Sequence, residues 1–171
     1  MKSIMSRQLT NPDGPVVSSE KTLRALHAIR RSKLLARRYG RIVMARSNFE
    51  ALSDLWPAPE PWLCVCDDCP TQALPAPLAA ATTSEAATLR LALALPASLV
   101  LLEEPIKQQA KVNFIKAEGT VSILVWAYRE GLLSAVQPMV KALQKLGHGD
   151  VVPPADQLEA LWRALDELRS V

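Results

Sequence analysis

Short apolar runs alternate with amphipathic stretches along most of this chain. The runs show no polar alternation, which fits strands buried on both faces of a parallel sheet. The pattern predicts strands over 15–19, 41–45, 62–66, 98–102 and 114–117. Helical spacing fills the intervals. Leu23 and Leu26 mark one inner face, and Leu52 and Leu55 a second. Val121, Leu124, Val125 and Tyr128 mark a third; Val136, Met139, Val140 and Leu143 continue the series. Leu158, Leu161, Leu165 and Leu168 give the last helix its inward stripe.

Boundary signals sharpen these segments. Ser47-Asn48-Phe49-Glu50, Thr82-Thr83-Ser84-Glu85 and the Asp156/Glu159 pair have the spacing of capping boxes. Ser32 and Thr120 are expected to cap helices, and Pro105 suits the first turn of another. Gly40, Gly131 and Gly147 stand where helices should end. Six prolines between Pro57 and Pro77 predict a loop broken only by the strand at 62–66. Residues 1–14 read as a tail closed by the turn Asn11-Pro12-Asp13-Gly14, and residues 15–171 as one domain. The strand–helix rhythm predicts an α/β protein: a three-layer α/β/α sandwich with a central parallel sheet of about five strands.

Composition narrows the function. Six glycines and no glycine-rich phosphate loop argue against a dinucleotide or P-loop site. No apolar run approaches the ~20 residues of a membrane span. The N-terminal segment lacks a signal-peptide core, so no membrane partner and a cytoplasmic location are expected. Cys64, Cys66 and Cys69 are too few for a tetrahedral zinc site without other donors. Asp67 and Asp68 offer such donors; the competing reading has Cys64 and Cys66 as small apolar residues on one strand face.

Charge is unevenly spread. Nine of the chain's 20 Lys and Arg residues fall between Glu20 and Arg46, with Glu20 the single acid there. Arg30, Arg31, Lys33, Arg37 and Arg38 are candidate contacts to an RNA backbone. The alternative is a solvated helix surface whose Arg stems cover apolar area.

Four acids fall where strands end or helices begin: Glu85, Glu103, Glu104 and Glu118. A parallel sheet gathers ligands at its C-terminal edge. Carboxylates brought together there repel unless a cation such as Mg2+ or Mn2+ joins them. Each acid also has a structural role open to it. Glu85 can close a capping box, and Glu103 or Glu104 can face the dipole of the following helix.

The stretches SEAATLRLALALPASLVLLEE and GTVSILVWAYREGLLSAVQPMVKAL resemble a prokaryotic subfamily of the PIN-domain proteins, the fold of VapC-type toxin ribonucleases. VVSS and YGRIVMARSNFEAL resemble the first strand and the second strand with its helix. The resemblance implies Mg2+-dependent RNA cleavage by about four acids. The third matches Glu85 and the fourth Glu103. Ser18 stands in place of the first, Ala51 beside Glu50 in place of the second, and Glu118 where a hydroxyl residue is usual.

Two functions follow. One is a PIN-like module with an incomplete acidic site and weak or lost catalysis that binds RNA or a protein. The alternative is an active metal-dependent endoribonuclease, the toxin of a toxin–antitoxin pair. In it Glu85, Glu103 and Glu118, with Glu104, hold the ion and Ser18 positions water or phosphate. The resemblance also implies a small antitoxin-like partner and a homodimer, with Trp56, Trp62 and Trp126 as surface candidates.

Overall fold

A computed structural model describes residues 14–170; the expected tail, except Gly14, lies outside them. Five parallel strands form one sheet in the order β3-β2-β1-β4-β5. They are β1 (Val16–Ser18), β2 (Ile42–Ala45), β3 (Leu63–Cys66), β4 (Leu99–Leu101) and β5 (Ala117–Glu118). The register sets Ser18 beside Leu101 and Leu101 beside Glu118. The C-terminal ends of β1, β4 and β5 therefore share one rim.

Eight α-helices accompany the sheet among the described residues. They are α1 (Glu20–Ala28), α2 (Lys33–Tyr39), α3 (Arg46–Ala51) and α4 (Thr83–Ala94), then α5 (Ile106–Val112), α6 (Thr120–Arg129), α7 (Gln137–Lys145) and α8 (Ala155–Arg169). Successive strand residues point to opposite faces, and two cores result. Val16, Ile42, Met44 and Leu101 meet Leu23, Leu35, Ile123 and Leu143 on one face. Val17, Val43, Val100 and Leu102 meet Leu78, Leu89 and Ile106 on the other. This is the three-layer α/β/α architecture the apolar pattern predicts.

Several local expectations need correction. Thr82 and Glu85 form the reciprocal capping box, but α3 starts two residues too early for Ser47 to cap it, its N-cap being Ala45. Asn48 is instead buried, and donates to the Thr88 hydroxyl and the Ser84 carbonyl. Asp156 lies inside α8, whose N-cap is Pro154. Neither Ser32 nor Thr120 caps its helix through a side chain. Gly40 does end α2 with φ 73°, where a side chain would be strained. The fifth strand begins at Ala117, not Phe114, because Phe114 adopts φ 62° and turns the chain. Leu168 is half-exposed at the far end of α8 rather than part of its inner face.

The three thiols are half-buried against the second core, and burial with the neighbouring Cys64 pushes Cys66 up to about 11. They pack as small apolar groups. Trp56 is buried with its ring against His27, which removes it from any surface.

Candidate functional site

The apolar run of β4 and the following Leu102 carries the chain to the rim and leaves Glu103 facing the start of α6. There the amides of a helix N-terminus favour a carboxylate. Glu103 is 4% exposed. Its Oε1 accepts three hydrogen bonds: from the Thr120 N–H at 2.8 Å, the Thr120 hydroxyl at 2.5 Å and the Thr22 hydroxyl at 2.9 Å. The Ser19 hydroxyl lies 3.1 Å from that of Thr22 and extends the chain of contacts to the N-cap of α1. Burial raises the Glu103 pKa. The Thr120 hydroxyl, the Thr120 N–H, the Thr22 hydroxyl and the Lys107 charge oppose this without cancelling it.

The other oxygen of Glu103, Oε2, lies over Gly119. A Cβ there would come within 2.7 Å of it, so a larger residue at position 119 would force the Glu103 carboxyl to shift. Glu103 lines two adjoining spaces. One is a cavity of about 260 Å³ shared with Ser19, Glu20, Arg24, Glu85 and Asp150. The other is an open groove of about 970 Å³ that also touches Glu104, Lys107, Glu118, Arg38 and Trp126.

The structure thus brings Glu85 and Glu103 to one cavity and places Glu118 and Glu104 on the other side of Glu103. Their bonding partners are specific. Glu85 Oε1 accepts the Thr82 N–H at 2.9 Å, as the capping box requires. Glu118 is held by Arg38, with Nη1 at 2.7 Å from Oε2 and Nη2 donating to Oε1 at 3.1 Å, while the Tyr39 hydroxyl donates to Oε2 at 3.0 Å. Burial, and then the Glu118 charge, push the Tyr39 pKa well above its ordinary value. The Arg38 guanidinium also lies over the rings of Tyr39 and Trp126. Glu104 pairs with Lys107 at 3.5 Å. Ser18 is fully buried and its hydroxyl donates to the Ser19 carbonyl, so it faces neither space.

Pattern reading did not find Glu20, Arg24, Thr22, Lys107 or Asp150. Arg24 donates to Glu20 at 3.1 Å, to Asp54 at 3.2 Å and to the Ala51 carbonyl at 2.9 Å. Burial works against its charge, but the two acids more than offset this and raise its pKa. Lys21 lies 3.3 Å from Asp150. Glu20 and Arg24 at i, i+4 were a legible signal of this pairing. Of the five basic candidates, Arg30, Lys33 and Arg37 are exposed, Arg31 is half-buried, and Arg38 is committed to Glu118.

A family model described as DUF3368: PIN domain matches residues 60–148, just over half of the chain. The protein belongs to this PIN-domain family. The match spans Glu85, Glu103, Glu104 and Glu118, whereas Ser18 and β1 lie before it. The chain matches no curated protein and no solved structure.

The family implies Mg2+ or Mn2+, which favour several open oxygen ligands at once. The side chains present do not fit that demand. Glu103 Oε1 is fully engaged, Glu85 closes a cap and both Glu118 oxygens are taken up by Arg38 and Tyr39. Among the described residues, no group of three or more His, Cys, Asp or Glu side chains is arranged to hold a metal ion.

Proposed function

We propose that this protein is a PIN domain that binds single-stranded RNA and has lost the family's metal-dependent cleavage. One observation carries this: four acids at the rim are paired with cations of the chain itself. Arg24 satisfies Glu20 and Arg38 satisfies Glu118; Lys107 and Lys21 lie beside Glu104 and Asp150. In a carboxylate-based metal site that compensation comes from the ion. The two departures from the family pattern agree. The residue matching the first acid is the buried Ser18. The residue matching the second is Ala51, whose carbonyl is held by the Arg24 guanidinium.

RNA as the ligand is supported by Arg30, Lys33 and Arg37, which are exposed and, among the described residues, have no acid as a salt-bridge partner. Backbone contacts by such cations release counterions, so affinity should fall steeply with salt.

The competing function, a metal-dependent endoribonuclease, draws on one observation: Glu20, Glu85, Glu103 and Asp150 line the same small cavity. Three measurements on the purified protein separate the two: the salt dependence of RNA binding, the melting temperature in EDTA against Mg2+ or Mn2+, and RNA cleavage with each ion. A bound ion must raise the melting temperature by mass action. Salt-sensitive binding with no metal-dependent stabilisation or cleavage is expected. Mn2+- or Mg2+-dependent cleavage that disappears in Glu103→Gln would establish the nuclease instead.

A further inference from the structure

Phe114 is 98% exposed, the most exposed large apolar side chain among the described residues. It also has φ 62°. An L-residue is disfavoured in that left-handed region, and glycine or asparagine is the usual occupant. The segment is nonetheless firmly held. The Phe114 N–H donates to the Lys111 carbonyl at 3.1 Å, and the Ile115 N–H to the Ala110 carbonyl at 3.0 Å. The Asn113 side chain donates to the Gln109 carbonyl at 2.8 Å, and Ile115 packs into the second core. The backbone position that carries the ring is therefore fixed, while the ring itself stands in solvent and adds no packing to the fold. The helix-ending bonds account for the left-handed backbone; a large aromatic at this exposed position, where glycine or asparagine is usual, has no account within the fold.

Its surroundings define the ligand. Lys111 and Lys116 flank Phe114 and are both exposed. A groove of about 730 Å³ is lined by Phe114, Lys116 and a second aromatic, Tyr39. A shallower one of about 420 Å³ is lined by Phe114, Lys111 and Lys116. Among the described residues lining these surfaces, Glu118 is the one acid, and it is paired with Arg38. An aromatic ring between uncompensated ammonium groups is the arrangement that takes a single-stranded nucleic acid, with a base on the ring and phosphates on the lysines.

We infer that Phe114, with Lys111 and Lys116, forms a base-stacking subsite for single-stranded RNA, separate from the acidic rim. This rests on the RNA-binding function proposed above and specifies where bases, as opposed to backbone, are held.

The test is fluorescence anisotropy with a labelled oligouridylate and with an abasic strand of the same backbone. Phe114→Ala should weaken oligouridylate binding roughly five- to one-hundred-fold, the range for loss of a stacked base, with little change on the abasic strand. Phe114→Trp should retain affinity and Phe114→Leu should not. Lys111→Glu with Lys116→Glu should weaken both probes. Circular dichroism should show all variants folded, because the ring contributes no packing.

Oligouridylate binding by Phe114→Ala or Phe114→Leu equal to the unmodified protein overturns the subsite, as does an equal loss on the abasic strand. Failure of the unmodified protein to bind either strand overturns the RNA-binding function, and the subsite with it. If sedimentation shows a dimer that Phe114→Ala dissolves while RNA affinity is unchanged, the ring serves a second copy of the chain and the subsite is refuted.

Discussion

Thr120 binds Glu103 twice through a single oxygen: its N–H and its hydroxyl both donate to Oε1, at 2.8 and 2.5 Å. Both residues are buried, and Thr22 supplies a third donor from α1. One carboxyl oxygen thus ties the end of β4 to the first turns of two helices. Hydrogen bonds to charged groups contribute about 1.5–3 kcal/mol each. Thr120→Val keeps the β-branched shape and the N–H but removes the hydroxyl, so it should destabilise the fold by about 1–2 kcal/mol at neutral pH. The cost should shrink in a Glu103→Gln background, where the acceptor is neutral. A double-mutant cycle by urea unfolding measures the coupling. Full additivity would mean that the short contact contributes nothing specific.

The pH dependence of Glu103 has a definite sign. Its folded pKa is raised, so the folded state binds the proton more tightly than the unfolded chain. The resulting stabilisation is fully present below the ordinary glutamate pKa and is lost as pH rises through the raised folded value. Glu103→Gln mimics the protonated form at every pH. Its melting temperature should exceed that of the unmodified protein at neutral pH, and the difference should close on acidification towards the ordinary carboxyl range. A difference that widens on acidification would show that the buried carboxylate, rather than the acid, is the favoured form.

Arg38 and Glu118 make the best-compensated pair of the rim. Their side chains are 21% and 30% exposed, and the guanidinium is stacked by two aromatic rings. Removing the cation leaves a half-buried carboxylate and a gap between Tyr39 and Trp126. Arg38→Ala should cost about 1–3 kcal/mol, more than a typical surface pair. Arg38→Lys should recover only part of this, because an ammonium lacks the planar fork and the stacking face. Complete recovery in urea denaturation would reduce the contact to simple charge pairing.

The sheet was legible because its strands are short apolar runs, and a run such as Ile42–Ala45 has little alternative in a chain of this length. The rim was legible in outline for the same reason: Glu103 ends the apolar run Leu99–Leu102 that contains β4. The neutralising side chains were harder to see. Thr22 and Thr120 reach Glu103 across 81 and 17 residues, and no periodicity reports such a contact. Asn48 read as part of a capping box, but tertiary bonds to α4 outweighed the local one. Phe114 suggested a strand because aromatic residues favour extended backbone. The helix-terminating bonds to Ala110 and Lys111 decided its conformation instead.

That conformation makes the last prediction, which concerns folding alone. With φ 62° and almost complete exposure, Phe114 carries backbone strain without a burial gain to offset it. Asparagine tolerates the left-handed region and does not enlarge the unfolded ensemble as glycine does. Phe114→Asn should therefore stabilise the protein by about 0.5–1 kcal/mol, in the range of other strain-relieving substitutions. Phe114→Gly should gain less, and Phe114→Val should lose stability, since a β-branched residue fits this region worst. Thermal or urea unfolding of the three variants gives the order directly. If valine matches asparagine, the backbone at position 114 is not left-handed in solution, and the fixed presentation of the ring fails with it.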